Sequence, residues 1–522
     1  MAETELPSSK TSSLSQSVVE VLLILAILFV VGSGHAPDSN EAHYLSKARH
    51  FWNPDWCPTD PFLQSADAHF SFYWVFGWVT HFTTLTGAAW IGRFSGWLLL
   101  AIAWQRLSWI IAPKNFFSVL SAVLWGVLVQ RGHMSGEWII GGVEAKIFAY
   151  PMVLLGLADL IRNRWRSCWL WFGIASALHV LVGGWAVVMA IVSWRLQPGE
   201  QRPRLIAMLP AMAFGGLLAL PGLIPAIQLS LNTAPELRAE AHRIYVHQRL
   251  PHHLLFRAFE TSFIVRHLIL IVAFVGMGWR LRRQPNFDRL WGFVVGAVGL
   301  ALTGTVLDIT LAHTDFGTSL LRYYWFRPSD VFIPLGISFA LISWIRYWET
   351  REPRRSALLL TSCLLLSSIG VLSSAWQLTS QTVPAADRQG NIKSPQQWNQ
   401  WRDLGDWCSE NLAPDALVLT PAYHQTFRWY AGRSELVNWK DIPQDAAAIV
   451  EWKRRRENVD QLAWLIESQQ YHLAKQQLLD LAEKYAIDFI VLPSPANLPG
   501  KLTDERLIPR YQNSNYILLQ IK

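Results

Sequence analysis

Two carboxylates, Asp38 and Glu41, stand three residues apart just after the first long apolar run, residues 18–31. A carboxylate held where a membrane helix emerges into water can act as a general base toward a hydroxyl group. The pair also has a structural interpretation, because an acid followed three residues later by Glu forms a capping box, and Pro37 suits a helix start. Both roles stay open, and Asp38 and Glu41 are the first two predicted catalytic residues.

A second acidic site opens a later apolar segment, where Glu144 and Lys146 follow Gly141 and Gly142. Charge at the end of a membrane helix is costly unless it is paired or faces a cavity. Adjacent glycines also let the backbone come close to a ligand. Glu144 is therefore a candidate site residue. The alternative is an acid that only stabilises the positive end of a helix dipole.

Basic side chains suited to phosphate lie in two further loops. The loop at 226–262 is rich in His and Arg, and Arg offers paired hydrogen bonds to phosphate, although a solvated amphipathic helix has the same composition. A metal site is disfavoured there, because successive histidines five residues apart do not share a helix face. A second loop, 321–328, places arginines at the mouth of a span. The predicted phosphate ligands are Arg249, His252, His253, Arg322 and Arg327.

The chain turns polar after about residue 378, and helix-like and strand-like segments alternate there as in a small α/β domain. Predicted helices cover 395–411, 444–457 and 471–485, and predicted strands cover 416–419, 434–439, 487–492 and 516–521. Functional groups often gather at strand ends in such domains. The predicted acceptor-binding residues are Tyr423, His424, Arg428 and Lys440.

The chain as a whole has the composition of a membrane protein. Only 16% of its 522 residues are charged, against about 25% in soluble proteins. The 28 Trp residues suit the anchoring of helix ends at membrane interfaces. About eleven apolar segments have lengths close to a membrane span. They lie at 18–31, 88–107, 115–130, 146–161, 168–182, 183–196, 205–225, 262–281, 289–311, 329–347 and 356–375.

Positive charge sets the predicted topology. If the first span runs from inside to outside, the short Arg-dense loops all lie inside, as the positive-inside rule requires. The aromatic segment 70–85 is then an interfacial helix rather than a span, and an amphipathic helix at 41–52 is expected to lie on the bilayer. Cleavage of the first apolar run as a signal peptide is the alternative, which its acidic N-terminal side disfavours.

These features predict an α-helical polytopic membrane protein with a small C-terminal α/β domain on its outer face. The predicted regions are a disordered N-terminus at 1–16, a transmembrane domain at 17–378 and an extracytoplasmic domain at 379–522. Nucleic acid is excluded as a partner, because no basic stripe alternates with aromatic residues. The four cysteines have no paired spacing, so neither a zinc site nor a disulfide framework is indicated, although a bond between Cys57 and Cys408 stays open.

This layout resembles the GT-C superfamily of membrane glycosyltransferases. The resemblance rests on the acidic first outer loop with Asp38 and Glu41, on the interfacial segment 70–85, and on Gly92-Arg93-Phe94 opening the next span. Further matching positions are Glu144, Arg322 and Tyr323. The stretch 420–441 is more similar to bacterial membrane proteins of unknown function.

The resemblance implies transfer of a sugar from a polyprenyl-phosphate-linked donor to an acceptor at the outer face of a bacterial inner membrane, with the N-terminus cytoplasmic. The implied partners are the lipid bilayer and the lipid-linked sugar. In this superfamily the first-loop acid acts as base, or orients the acceptor or a divalent metal. That role falls first on Asp38 and second on Glu41, and the resemblance implies that Glu144 is a second catalytic acid. The cofactor stays unknown, since a divalent metal is possible but no Asp-x-Asp pair occurs in the first two outer loops.

Two other classes of protein remain open. A transporter or flippase would place ionisable groups at the membrane midplane and often has two related halves, whereas here the charges cluster toward the outer side and no repeat is visible. A non-catalytic envelope-assembly protein could keep the same fold.

Overall fold

A computed structural model of the chain describes residues 13–231, 233–284, 286–493 and 504–522. Up to residue 380 the elements are helical. The helices are α1 Leu14–Gly32, α2 Glu41–Trp52, α3 Pro61–Gln64, α4 Phe70–Phe72, α5 Val79–Phe82, α6 Leu85–Ile111, α7 Phe117–Gly132, α8 Ala145–Ile161, α9 Trp165–Leu178, α10 Val180–Leu196, α11 Leu205–Leu231, α12 Pro235–Arg243, α13 Pro251–Leu254, α14 Thr261–Leu281, α15 Phe287–Leu311, α16 Asp315–Leu321, α17 Arg327–Glu349 and α18 Pro353–Ser380. Short π-helical turns cover Tyr73–Gly77 and Ile244–Arg249.

Each predicted span coincides with a helix, namely α1, α6 to α11, α14, α15, α17 and α18. Seven helices in the described part of the chain are long and apolar enough to cross a membrane. The predicted polytopic helical fold is therefore confirmed. Helix α1 begins at Leu14, so residues 14–16 do not belong to the predicted disordered N-terminus, and residues 1–12 of that prediction lie outside the described residues.

The Arg-rich loops meet at one end of the helix bundle. Arg106, near the end of α6, lies 2.8 Å from Asp159 near the end of α8. Lys114, which precedes α7, lies 2.5 Å from Glu349 at the end of α17. The long loops and the C-terminal domain occupy the opposite end. The short basic loops that set the predicted topology therefore lie at one end of the molecule, and the long loops lie at the other.

Helix α2 has the predicted bounds but different surroundings. If α2 lay on the bilayer, Lys47 on its polar face would be exposed to solvent, yet it is 4% exposed and its Nζ lies 3.1 Å from Asp67 Oδ2. On the other side of the helix, Leu45 and Ala48 are fully buried. Helix α2 is therefore enclosed by protein rather than laid on the bilayer, which corrects the prediction. It was wrong because the ion pair that lets lysine be buried lies twenty residues away in sequence.

The aromatic segment after α2 is a series of short turns rather than one helix. It consists of α4, the π-helical turn and α5. Four of its rings are exposed, as an interfacial position would require. They belong to Phe70, Trp74, Trp78 and Phe82.

The C-terminal region forms a mixed five-stranded sheet with helices packed on it. The helices are α19 Ala385–Gln389, α20 Pro395–Asn411, α21 Phe427–Ala431, α22 Ala446–Glu467 and α23 Tyr471–Tyr485, and the strands are β1 Leu417–Leu419, β2 Ser434–Glu435, β3 Phe489–Pro493, β4 Leu507–Gln512 and β5 Tyr516–Ile521. The strand order is β2-β1-β3-β5-β4, in which β1 is parallel to β2 and β3, and β5 is antiparallel to its neighbours. The predicted small α/β domain is confirmed.

Strand β4 was not predicted from the sequence, whereas β1, β2, β3 and β5 were. It contains Pro509 and lies at the edge of the sheet, where a missing backbone N–H is tolerated. Half of its six side chains are exposed and only Leu507 is buried, so it lacks the apolar run by which the buried strands are recognised. Cys57 and Cys408 are buried free thiols, and the disulfide considered from the sequence is absent.

The C-terminal domain is joined to the loop between α1 and α6 by specific polar contacts. His43 Nδ1 lies 2.8 Å from Asp441 Oδ1. The N–H of Ala386 donates to the carbonyl of Pro37 at 3.3 Å, and Thr59 donates to the carbonyl of Asp415 at 2.9 Å. These contacts place the domain over the helix ends where the predicted catalytic acids lie.

Candidate functional site

A cavity of about 480 Å³ opens between the ends of the membrane helices and the C-terminal domain. Its walls come from the start of α2, the residues around the start of α8, the α9–α10 junction, the Ile244–Arg249 turn, the residues before α17 and the segment after β2. Seven of the twelve predicted site residues line it. They are Asp38, Glu144, Arg249, His253, Arg322, Arg327 and Lys440.

Asp38 is held on the cavity wall by backbone groups. Its Oδ2 accepts a 2.7 Å hydrogen bond from the N–H of Gly142, and its Oδ1 accepts one of 2.7 Å from the N–H of Ser39. A Cβ on residue 142 would lie 2.6 Å from the Asp38 Cβ, so this close approach requires glycine. A carboxylate oxygen can accept two hydrogen bonds, and Asp38 is only partly buried. It therefore keeps capacity for a ligand.

Glu41, the second predicted catalytic acid, does not line the cavity. It is fully buried, and its two oxygens accept 2.7 Å hydrogen bonds from Nε and NH2 of Arg93. The same oxygens accept from the N–H groups of Val143 at 2.9 Å and Asp38 at 2.7 Å. Four donors thus occupy the carboxylate. Glu41 completes the helix cap and ties Asp38 to the start of α8, and its catalytic role stays a prediction.

Glu144 stands on the cavity wall two residues beyond Gly142 and is partly neutralised. The side-chain amide of Asn40 donates to both of its oxygens at 3.3 Å, and Lys146 Nζ lies 3.3 Å away. Lys146 is shared, because it also lies 3.2 Å from Glu137, which is fully buried behind the wall. The Glu144 carboxylate is 14% exposed, so it faces the cavity with a cation beside it.

Two arginines, Arg322 and Arg327, bring positive charge to the cavity. Arg327 Nε lies 3.1 Å from Glu137 Oε2, and its guanidinium stacks on the ring of Tyr324 at 3.6 Å. Arg322 NH1 donates to Nε2 of His242 at 2.7 Å. Burial and the charge of Arg322 lower the pKa of His242 to about 4, so this histidine is a neutral acceptor. Within the described residues Arg322 has no carboxylate partner.

The third group of cations comes from the junction with the C-terminal domain. Arg249 donates to the backbone carbonyls of Trp439 at 2.9 Å and Lys440 at 3.3 Å. Lys440 itself lines the cavity, and its side-chain Nζ has neither a hydrogen-bond nor an ion-pair partner among the described residues. Burial, together with the nearby charge of Arg249, lowers the pKa of Lys440 to about 8. His253 donates from Nδ1 to the carbonyl of Ser135 at 2.5 Å.

Three of the other predicted ligands lie away from the cavity, and their role as ligands stays a prediction. His252 is an exposed neighbour of His253. Tyr423 is 44% exposed and packs under Arg456 on another face of the domain. His424 is buried and hydrogen-bonded through Nε2 to the hydroxyl of Tyr516 at 2.9 Å. A position near a strand end does not tell which way a side chain faces.

Arg428, the remaining predicted acceptor ligand, is the centre of a buried ion cluster. It is 3% exposed and lies 2.9 Å from Asp60 and 3.4 Å from Glu435. It also pairs with Asp441, which in turn contacts His43 in α2. Arg428 therefore fastens the C-terminal domain to the first loop and cannot contact an acceptor in the cavity.

Several cavity residues were not among the predicted site residues. They are uncharged polar or aromatic side chains, together with one lysine: His43, Tyr44, His69, Trp138, Lys146, His179, Tyr245 and Tyr324. Lys146 could have been selected, because it shares the helix-start position of Glu144. The rings carry no sequence signal, since aromatic residues are abundant throughout a membrane protein of this composition.

One part of the cavity wall is apolar. Val180 and Leu181 at the start of α10, and Ala226 and Leu229 near the end of α11, line it. Helix α11 also exposes large apolar side chains along its length, among them Leu217, Ile224 and Ile227. An apolar chain could therefore lie along α11 with its polar end in the cavity.

The cavity combines groups for two kinds of chemistry. Its arginines can neutralise a phosphate and its leaving charge, and Asp38 can accept a proton from a hydroxyl group. No group of three His, Cys, Asp or Glu is placed to hold a metal ion within 13–231, 233–284, 286–493 and 504–522.

The architecture defines a class of protein: this is a multi-pass membrane protein with the GT-C fold. It is similar to the crystal structure of ArnT from Cupriavidus metallidurans bound to undecaprenyl phosphate, with a TM-score of 0.50 and 12% identity over 97% of this chain and 98% of that chain. It is also similar to the arabinofuranosyltransferase AftD from Mycobacteria, with a TM-score of 0.53 and 14% identity over 98% of this chain.

The chain spans 42% of the length of AftD. By sequence, residues 399–459 match a family described as a domain of unknown function, DUF6798. This stretch contains Arg428 and Lys440. No curated protein matches the sequence.

Proposed function

We propose that the protein transfers a sugar from a polyprenyl-phosphate-linked donor to an acceptor hydroxyl at the outer face of a bacterial inner membrane. The observation that carries the proposal is that carboxylates and arginines line one cavity at the end of the membrane bundle. Asp38, Glu144, Arg322 and Arg327 are all among the residues that line it. A cavity of this size suits a small ligand with a few directed polar contacts.

The donor phosphate would bind at Arg322 and Arg327. Arg322 is the stronger candidate, because its hydrogen-bond partner is a neutral histidine and its charge is not balanced by a carboxylate. The polyprenyl chain would leave the cavity past Leu181 and Leu229 toward the apolar face of α11. An arginine at the phosphate stabilises the negative charge that develops when the bond to the sugar breaks.

Asp38 would act as the base. Its present partners are two backbone N–H groups, whereas Glu144 shares Lys146 and Asn40. In the proposed step Asp38 takes the proton of the acceptor hydroxyl, and the acceptor oxygen bonds to the anomeric carbon of the sugar. The bond from that carbon to the phosphate oxygen breaks, and its electron pair leaves with the lipid phosphate. Glu144 would orient the acceptor from the same wall.

The membrane orientation forms part of the proposal. The end of the bundle that carries Arg106 and Lys114 would face the cytoplasm, as the positive-inside rule favours. The cavity and the region 379–522 would then lie on the outer side, and the N-terminus would be cytoplasmic.

The test is a lipid-linked sugar transfer assay on the full chain in lipid nanodiscs, with wild type and Asp38→Asn. Loss of a general base lowers kcat by about 10² to 10⁴, and we expect such a loss. Asp55→Asn is the matched control, because Asp55 is exposed in the same loop and does not line the cavity. Unchanged transfer by Asp38→Asn would remove Asp38 from the mechanism.

The transporter or flippase alternative is tested with the same protein reconstituted into closed lipid vesicles instead of nanodiscs. We expect transfer of sugar to the acceptor without movement of the lipid-linked sugar across the bilayer. Movement of donor without transfer, with every donor and acceptor offered, would favour the alternative.

A further inference from the structure

The cations on the cavity wall fall into two groups. Balanced cations have a carboxylate partner, and unbalanced cations have none among the described residues. Lys146 lies 3.2 Å from Glu137 and 3.3 Å from Glu144, and Arg327 lies 3.1 Å from Glu137. Arg249, Arg322 and Lys440 have no carboxylate partner within the described residues. Arg249 donates to two backbone carbonyls, Arg322 donates to a neutral histidine, and Lys440 donates to nothing in the described part of the chain.

The unbalanced cations differ in their neighbours. Arg322 lies against His242 and Tyr245. Lys440 and Arg249 lie at the junction with the C-terminal domain, where the guanidinium of Arg249 bonds to the carbonyl of Lys440. The carboxylates whose charges act on Lys440 are Asp38 and Glu144.

One donor phosphate cannot balance all three unbalanced cations, Arg249, Arg322 and Lys440. The proposed donor is a phosphodiester with one negative charge, which Arg322 and Arg327 would balance. A lysine held in a partly closed cavity without a counter-ion is unfavourable in its charged form, and the lowered pKa of Lys440 reflects this. A second anion beside Asp38 would remove that penalty.

We propose that Lys440 and Arg249 form a second anion-binding subsite, which takes a phosphate or carboxylate group other than the donor phosphate. The assignment rests on the proposed function in one respect, namely that Arg322 receives the donor phosphate. The second anion has two possible sources, a phosphate carried by the acceptor or an acid group carried by the sugar. In either case, the C-terminal domain supplies a side chain that contacts substrate.

The contacts of the neighbouring residues fix Lys440 in this place. Arg249 binds the carbonyls of residues 439 and 440 and stacks over the ring of Trp439 at 4.9 Å. Asp441 is held by Arg428 and His43 on the far side of the segment. A lysine fastened on both sides by buried charged groups is placed for a directed contact, unlike a lysine on a free surface.

The experiment measures binding to the full chain in nanodiscs at pH 7.5, with undecaprenyl phosphate as the lipid probe. The soluble probes are sn-glycerol 3-phosphate for an acceptor phosphate and glucuronate for a sugar acid, each titrated with the lipid probe present at saturation. We expect one soluble probe to bind the wild type. Lys440→Met should weaken it at least tenfold, since a charge-assisted hydrogen bond is lost, and Lys440→Arg should restore most of the affinity.

Two comparison variants separate this subsite from the donor site. Lys393→Met removes an exposed lysine of the same domain and should change neither affinity. Arg322→Gln should weaken undecaprenyl phosphate, whereas Lys440→Met should leave the affinity for undecaprenyl phosphate within twofold of the wild type. Preference for glycerol 3-phosphate assigns the anion to the acceptor, and preference for glucuronate assigns it to the sugar.

Three results would overturn the proposal. They are binding of neither soluble probe, equal binding of a soluble probe to wild type and Lys440→Met, and an equal loss of undecaprenyl phosphate affinity in Lys440→Met and Arg322→Gln. The last result would place Lys440 in the donor site. If the wild type does not bind undecaprenyl phosphate, the proposed donor is wrong, and the subsite is then judged by the soluble probes alone on the lipid-free cavity.

Discussion

Replacing Glu41 by Gln separates a structural acid from a catalytic one. Both oxygens of Glu41 accept two hydrogen bonds, one from Arg93 and one from a backbone N–H group. In Glu41→Gln one oxygen becomes an NH₂ group, and whichever position it takes, it meets two donors. The variant therefore loses two hydrogen bonds and leaves the fully buried guanidinium of Arg93 without a counter-charge.

The expected cost follows from these contacts. Removing one partner of a buried ion pair destabilises a protein by about 3–5 kcal/mol, and two lost hydrogen bonds at roughly 1.5–3 kcal/mol each give a similar total of about 3–6 kcal/mol. Asp38→Asn should cost less, about 1–2 kcal/mol, because Asp38 accepts only from two neutral backbone groups and is partly exposed. Glu41→Gln should thus lower the unfolding midpoint much more than Asp38→Asn.

The assay is thermal unfolding of purified protein in one detergent, followed by the sugar transfer assay at a temperature where every variant is folded. We expect the double variant Glu41→Gln with Arg93→Met to unfold at a higher temperature than Glu41→Gln alone, because it no longer buries an unpaired charge. A Glu41→Gln protein that unfolds like the wild type but has lost transfer would refute this reasoning and return Glu41 to the mechanism.

Two further perturbations test the charged junction and the cavity. Arg428→Met leaves Asp60, Glu435 and Asp441 without their shared cation and should destabilise the docked C-terminal domain by about 3–5 kcal/mol. Limited proteolysis should then release the C-terminal domain from the membrane bundle. The control is Arg402→Met on the exposed face of α20, which should behave as wild type. Lys440 is cationic only below its pKa of about 8, so affinity for the soluble anion should fall toward tenfold per pH unit above pH 8; a Lys440→Arg protein that follows the same curve would contradict this origin of the pH dependence.

The sequence was sufficient for the elements that bury one continuous apolar surface. Long apolar runs predicted the spans, and short strand-like segments between helical ones predicted most of the sheet. Both predictions worked because burial in lipid or in a protein core leaves a local sequence pattern. Helix α2 shows the limit, because its bounds were right but its surroundings were wrong. Whether Lys47 faces water depends on Asp67, and no local pattern records that contact.

The same distinction explains the candidate site. Charges at span ends, such as Glu144 and Arg322, were selected because an unpaired charge there is costly unless it faces a cavity, and both line the cavity. In the C-terminal domain that argument has no force, since water solvates charges on any face. Arg428 was therefore assigned to an acceptor, although it is enclosed by three carboxylates.

The ion cluster around Arg428 also sets an order for biogenesis. Asp60 and Arg428 are 368 residues apart in the chain, and a ribosome adds about 5–20 residues per second. The first loop therefore reaches its side of the membrane roughly 20 to 70 seconds before its cation is synthesised. During that interval Asp60 stands in water, where a lone carboxylate costs nothing. The cavity acquires Lys440 only when the domain docks, so the membrane bundle is inserted first and the site is completed last.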